Sequence, residues 1–165
     1  MSAPLVLLLV LSAASLIGCA TESSSAAEIP DGTDLDRETA RVLDVLNAET
    51  RAALGRDYSA WRAHWVHAPY VVKTYTDEAD GSASVMLGWD AVDDFVRTYL
   101  EEHPEPEAPP PPLTAADVQV FGDTAWVVYE QDTAGGGRKR EARRMERAGG
   151  AWRIAGMHTT IVGAK

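Results

Sequence analysis

Closely spaced glycine turns in the second half of the chain constrain its fold more than any other feature. Gly122-Asp123, Gly135-Gly136-Gly137 and Gly149-Gly150 separate four segments, residues 118–121, 125–130, 138–147 and 152–162. Connections of two or three residues are too short for the crossovers that parallel strands need. The spacing therefore predicts an antiparallel meander.

The first half reads as helices. Leu35, Val42, Leu43, Leu46 and Ala53 form one apolar stripe at helical spacing. Thr33 or Asp34 is placed to cap that helix, Asp36 lies in its first turn, and Gly55 ends it. A short second helix starts near Asp57, with Tyr58, Trp61 and Trp65 on one face, and Pro69 stops it. Residues 70–75 are rich in Val and Tyr and read as a strand; Asp80-Gly81 turns the chain and residues 84–87 return. Gly88 precedes a third helix, with Asp90, Asp93 and Asp94 towards its N-terminal end and Val92, Phe95, Val96, Tyr99 and Leu100 as its apolar face. Residues 104–112, five of them proline after the first Pro-Glu, form a stiff loop of polyproline II character. Helices first and a long sheet after is an α+β arrangement. The chain contains no internal repeat.

The N-terminus carries an address. Residues 5–17 are apolar and uncharged, and lead into Leu16-Ile17-Gly18-Cys19, where Cys19 is the only cysteine. That stretch falls short of the roughly 20 apolar residues of a spanning helix and suits a signal h-region. Small residues, Gly18 and Ala20, flank the proposed cut, and a polar run follows to Glu28. The pattern resembles the lipobox of a bacterial lipoprotein precursor. The resemblance implies cleavage before Cys19 and an acylated thiol, with diacylglycerol and palmitate. It also implies an extracytoplasmic, membrane-anchored place in the cell envelope. Ala20 rather than Asp follows the cysteine, which implies the outer membrane where there are two. The first four residues contain no Lys or Arg, so a plain secretory signal or an uncleaved anchor is the alternative. The organisation expected is a signal peptide over 1–18, the lipidated Cys19 and a tether over 19–32, and one domain over 33–165. The tether reaches at most roughly 45 Å at ~3.4 Å per residue. An acylated Cys19 leaves no thiol for a disulfide or for cysteine catalysis.

The net charge of −10 argues against a nucleic-acid partner, which needs a basic surface. Yet Arg138, Lys139, Arg140, Arg143, Arg144 and Arg147 fall within ten residues. Such a strand is either an anion site or an exposed face that complements acidic neighbours.

The element order, α-α-β-β-α and then the meander, resembles the NTF2-like superfamily in its SnoaL-like branch, to which DUF4440-like domains are related. Three segments carry the resemblance. They are Arg56-Asp57-Tyr58-x-x-Trp61-x-x-x-Trp65-Val66-His67-x-Pro69, then Gly88-Trp89-Asp90, and last Glu141-x-Arg143 with Gly149-Gly150-x-Trp152-Arg153-Ile154-x-x-x-His158-x-Thr160. The implied fold is a cystatin-like cone, with N-terminal helices packed on a curved antiparallel sheet. The association domain of calcium/calmodulin-dependent kinase has an Arg and a His matching Arg143 and His158, and there the Arg contributes to a solvent-accessible pocket. Thr160 stands where relatives often have Ser, and Ala142 and Arg144 where they prefer β-branched residues. Cyclases and ketosteroid isomerases of this superfamily use an Asp base in the cavity. Here Asp117, Asp123 and Asp132 fall at strand ends or turns.

With Gly149-Gly150 as a two-residue turn, Arg147 faces Trp152, Met145 faces Ile154, Arg143 faces Gly156 and Glu141 faces His158. Side chains alternate along a strand, so these share one sheet face, and its apolar members turn it inward. Arg143, Glu141 and His158 are thus expected inside the cone, with Gly156 leaving room for the guanidinium. Arg138, Arg140, Arg144, Glu146 and Arg153 are expected on the outer face, towards solvent or a dimer partner. Convergent polar groups in an apolar concavity are the pattern of a ligand pocket. In it Arg143 is suited to a carboxylate, and His158 to acid–base work with Glu141. The alternative is an internal Glu141–Arg143–His158 network that satisfies buried polar groups. Trp61 and Trp65 either stack on a ligand or pack the short helix on the sheet. His64 and His67 have the i, i+3 spacing of a shared metal but lack a third ligand, so no metal and no cofactor is expected. The function expected is a lipid-anchored domain that binds a small organic ligand, anionic or aromatic, and forms a homodimer. The rivals are an isomerase or hydrolyase using His158 with Glu141 or Glu130, and a pocketless interaction module.

Overall fold

A computed structural model describes residues 32–132 and 137–162. The expected signal peptide, Cys19 and nearly all of the expected tether lie outside the described residues, as do residues 133–136 of the central turn. Helix α1 spans Gly32–Leu54 and α2 spans Tyr58–Ala63. Strands β1 (Val72–Asp77) and β2 (Ala83–Leu87) form a hairpin, and α3 (Trp89–Glu102) follows. The meander is β3 (Asp117–Phe121), β4 (Thr124–Asp132), β5 (Arg138–Ala148) and β6 (Ala151–Val162). The helices come where the apolar periodicity predicts them, except that α2 ends at Ala63, short of Trp65, which instead bridges to Ile154 of β6; the meander follows its glycines. Gly149 and Gly150 have φ of 61° and 81°, the two left-handed positions of a type I′ hairpin. Asp57 caps α2 by accepting a hydrogen bond from the Ala60 amide at 2.9 Å.

The six strands form one sheet in the order β2-β1-β6-β5-β4-β3. Every neighbouring pair is antiparallel except β1 and β6, which run parallel from Val72↔Gly156 to Asp77↔Ile161. That parallel seam joins segments some eighty residues apart, and no local turn announces it. It closes the hairpin onto the meander and makes a continuous sheet for the helices to cover.

The core lies between helices and sheet. Val42 and Leu46 of α1, Val92 of α3, and Val127, Met145 and Ile154 of the sheet are essentially fully buried. Trp61 and Trp65 sit among them, with ring centroids 5.7 Å apart. Leu35, expected in the α1 stripe, is instead exposed, and the position Val42–Leu46–Glu49–Ala53 brings inward is a carboxylate. The proline-rich connector is strapped to α1. Asn47 exchanges hydrogen bonds of 2.7 and 3.0 Å with the Leu113 backbone, and the Glu107 amide donates to Leu54 O at 2.9 Å.

The last hairpin departs from simple register. Arg147↔Trp152 and Met145↔Ile154 pair as expected, but the next pair is Arg144↔Gly156, with Ala155 inserted as a bulge. Beyond it Arg143 faces Met157, Ala142 faces His158 and Glu141 faces Thr159. The cause is a change of partner along β6. Ile154 bonds to the segment after α2, its amide to His64 O at 2.8 Å and its carbonyl to the Val66 amide at 2.9 Å. Residues past the bulge pair with β1 instead. A bulge bends its strand and increases the twist, which curves the sheet into a cone. A one-residue slip also exchanges the two faces of everything beyond it. His158, expected inside with Glu141, is therefore exposed on the outer face, and Gly156 lies opposite Arg144 rather than Arg143.

Candidate functional site

The cone encloses a cavity of about 470 Å³ between α1, α3 and the inner face of the sheet. Its walls are largely apolar, with Phe95, Leu100 and Met157 among them, and they carry a few charged groups. Three of these, Lys139, Glu141 and Arg143, come from β5. Alternation along that strand turns Glu141, Arg143 and Met145 inward together, and Glu141 and Arg143 are 1% and 2% exposed.

These groups form one buried network. Arg143 donates to Glu141 Oε2 from Nε at 2.7 Å and from Nη2 at 2.6 Å. Tyr129, opposite Glu141 on β4, donates its hydroxyl to the same oxygen at 2.6 Å. Lys139 Nζ lies 2.8 Å from the other oxygen. Arg143 Nη2 also lies 3.6 Å from Glu49 Oε2, while Glu49 Oε1 accepts the indole N–H groups of Trp61 at 2.9 Å and Trp65 at 3.2 Å. Burial by itself raises the Glu141 carboxyl, but the Arg143 guanidinium, Lys139 and the Tyr129 hydroxyl outweigh it and bring it down to about 2. Burial, with the two carboxylates, pushes the Tyr129 hydroxyl well up. Burial opposes the Arg143 charge, but Glu141 and Glu49 more than compensate and raise its pKa. Glu141 is thus held ionised and is a poor proton acceptor near neutrality. Among the described residues, Arg143 Nη1 and Thr159 Oγ1 on this wall have no hydrogen-bond partner, and neither does Arg56 Nε.

Lys73 is different in kind. It is 4% exposed, on the inward phase of β1 with Val71 and Tyr75. Its Nζ contacts Met157 Sδ at 3.2 Å and lies 5.2 Å from the ring centroids of both Trp65 and Tyr75. Among the described residues no carboxylate is within ion-pairing distance of it.

Of the residues singled out in the sequence, Arg143, Glu141 and Trp61 line the cavity. Trp65 lies beneath it, in the core. His158 is on the opposite face, 3.3 Å from Thr160 Oγ1. Glu130 is also exposed and pairs with Arg138 and Arg140. His67 stacks on Trp89 with centroids 4.0 Å apart. His64 is half-buried, and burial lowers its pKa. Among the described residues no three His, Cys, Asp or Glu side chains gather as metal ligands would. Glu49 and Lys73 were not evident from the sequence. Their signal is phase, since each is a charged residue at a position that an apolar period brings inside.

A family model described as a SnoaL-like domain matches residues 42–162. No curated protein matches the chain. Among solved structures, the chain is similar to an NTF-2-like protein of unknown function from Silicibacter pomeroyi, at 20% identity over 77% of this chain and 98% of that one, with a TM-score of 0.55. It is also similar to a cystatin-like fold protein from Burkholderia xenovorans, at 22% identity over 76% and 92%, with a TM-score of 0.57. A protein of unknown function from Mycobacterium tuberculosis matches at 16% identity over 83% and 79%, again with a TM-score of 0.57. These likenesses speak for the fold alone.

Proposed function

The chain belongs to the SnoaL-like domain family, and we propose that its cone binds a small organic anion with an aromatic or otherwise apolar body. One observation carries this reading. A cavity of about 470 Å³ with apolar walls is lined by four cations, Arg56, Lys73, Lys139 and Arg143, and by two carboxylates, Glu49 and Glu141, in a chain of net charge −10. Setting Arg56 aside as the partner of Glu107, at 2.6 Å, still leaves the cations in excess. Low-dielectric walls focus that field inward, and the volume suits a small ligand.

Binding is favoured over catalysis because the candidate bases are elsewhere or engaged. His158 and Glu130 are on the outer face, and Glu141 is held ionised by Arg143. Glu49 accepts two indole N–H groups and faces Arg143. Calorimetry with a panel of aromatic and aliphatic acids tests the reading. Saturable binding that is lost on filling the cavity with Ala53→Phe is the expected result. Binding that ignores Ala53→Phe, or no binding by any acid, overturns it. Turnover of a bound acid would favour the isomerase or hydrolyase.

The domain works outside the cytoplasm, in our reading, on a lipid carried by Cys19. Palmitate labelling of wild type but not of Cys19→Ser is expected, and equal labelling of both would sink the anchor. A homodimer through the outer sheet face is a second proposal. It is favoured by the exposure there of Trp126, Val85, Leu87 and Phe121. Sedimentation should show a dimer that Trp126→Glu dissociates; a wild-type monomer at micromolar concentration counts against it.

A further inference from the structure

We propose that Lys73 is the anion anchor of the cone and that the ligand is a monocarboxylic acid with an apolar body. This rests on the reading of the cavity as a ligand site. The other cations of the wall are already matched. Arg143 is bonded twice to Glu141, at 2.7 and 2.6 Å, and faces Glu49. Lys139 pairs with Glu141 at 2.8 Å, and Arg56 with Glu107 at 2.6 Å. Among the described residues, Lys73 is the one cation of this wall that is buried without a carboxylate in ion-pairing distance.

An ammonium has three donors and a compact, strongly hydrated charge, so it is expensive to dry without a counter-ion. Here its neighbours are a thioether, a weak acceptor, and two aromatic rings. The rings attract the cation and hold it in place, but neither accepts a strong hydrogen bond. Donor capacity is left over, on a residue that lines the cavity.

The strand register says where an acid would sit. Met157 pairs with Lys73 on one side and with Arg143 on the other, so Lys73, Met157 and Arg143 form one inward row across β1, β6 and β5. Strands lie about 4.8 Å apart, which puts the two flanking backbones roughly 9–10 Å from each other, within reach of one group seated over Met157. The next inward row is Tyr75, Thr159 and Glu141. Arg143 Nη1 and Thr159 Oγ1, both without a hydrogen-bond partner among the described residues, thus flank the same spot. A carboxylate there accepts from Lys73 and finds further donors for its second oxygen. A doubly charged head fits poorly, because Glu49 and Glu141 lie in the same wall and one cation alone lacks a partner. The apolar body then lies along Phe95 and Leu100.

The test uses the purified full chain and matched pairs, 2-naphthoate with 2-naphthamide, cinnamate with cinnamamide, and decanoate with decanamide. For at least one pair the acid should bind ten-fold or more tightly than its amide at pH 7. Lys73→Met should abolish that preference, and Lys73→Arg should retain part of it. Naphthyl phosphate should bind less tightly than naphthoate. Acid and amide bound equally by wild type would overturn the anchor and leave the cavity reading standing. No binding in any pair would overturn both. A preference that survives Lys73→Met moves the anchor off Lys73. A measurement on wild type alone guards against a misfolded variant: the acid, and not the amide, should slow acetylation of Lys73 by acetic anhydride. Equal labelling under both ligands overturns the proposal.

Discussion

Removing Arg143 tests whether the wall of the cone is an electrostatic unit. The side chain is buried, makes two short bonds to Glu141, and faces Glu49. Arg143→Met keeps most of the volume and takes away the charge, leaving two buried carboxylates with Lys139, Tyr129 and two indoles as their remaining partners. Breaking a buried pair from one side costs about 3–5 kcal/mol, a large part of the roughly 5–15 kcal/mol that holds a domain together. At an m-value of about 2 kcal/mol/M, a loss of about 4 kcal/mol moves the urea midpoint down by about 2 M. Glu141→Leu should cost a comparable amount, since it strands the guanidinium. The double variant Arg143→Met/Glu141→Leu should be more stable than the sum of the two losses predicts, by about 2 kcal/mol or more.

The pH dependence provides a second reading from the same denaturation assay. In wild type the folded Glu141 lies at about 2, below its ordinary 4.5. Its contribution is therefore whole above about 4.5 and is lost as the pH falls towards 2. In Arg143→Met the burial that Arg143 outweighs gains ground, and the carboxyl rises. A raised folded pKa favours the protonated, buried form, so the deficit relative to wild type should be greatest at pH 7 and shrink as the pH falls through about 5. A loss below about 1 kcal/mol, an additive double variant, or a deficit that does not change with pH would each refute the reasoning.

Other outcomes follow from single contacts. His158→Ala should leave ligand affinity in the cone unchanged and move stability by no more than about 0.5 kcal/mol, because the ring is exposed on the outer face; a large loss of binding would contradict the register. Asp57→Ala should cost about 1 kcal/mol in thermal or urea unfolding, through the lost cap on α2. Deleting Ala155 leaves Gly156 opposite Arg144 and Met157 opposite Arg143, so the faces of β6 are kept and only the bend is lost; β6 can then no longer serve both the His64–Val66 segment and β1 without distortion, and a lower melting temperature is expected. An unaltered melting temperature would show the bulge to be dispensable.

What the sequence determined by itself was local. Two consecutive glycines between strand-like segments supply the two left-handed positions of a tight hairpin, so the turn at Gly149-Gly150 and the first two pairs of β5 and β6 are legible. The inward phase of Glu141 and Arg143 is legible too, because alternation along β5 is set by the strand's own pleat and by Met145. The amphipathic stripes of α1 and α3 likewise announce helices. Tertiary structure decided the rest. The bulge at Ala155 exists because β6 changes neighbour, from the segment around Trp65 to the parallel strand β1, and neither partner is encoded near residue 155. That single inserted residue takes His158 out of the cone. Glu49 and Lys73 stand at positions that the apolar phase brings inward, but their charge argues for solvent. They are buried because helices close over a curved sheet and bring two indoles to the one and two aromatic rings to the other. A pleat or a turn is determined within a few residues, whereas a buried charge is determined by groups from several strands and helices, which only the folded chain brings together.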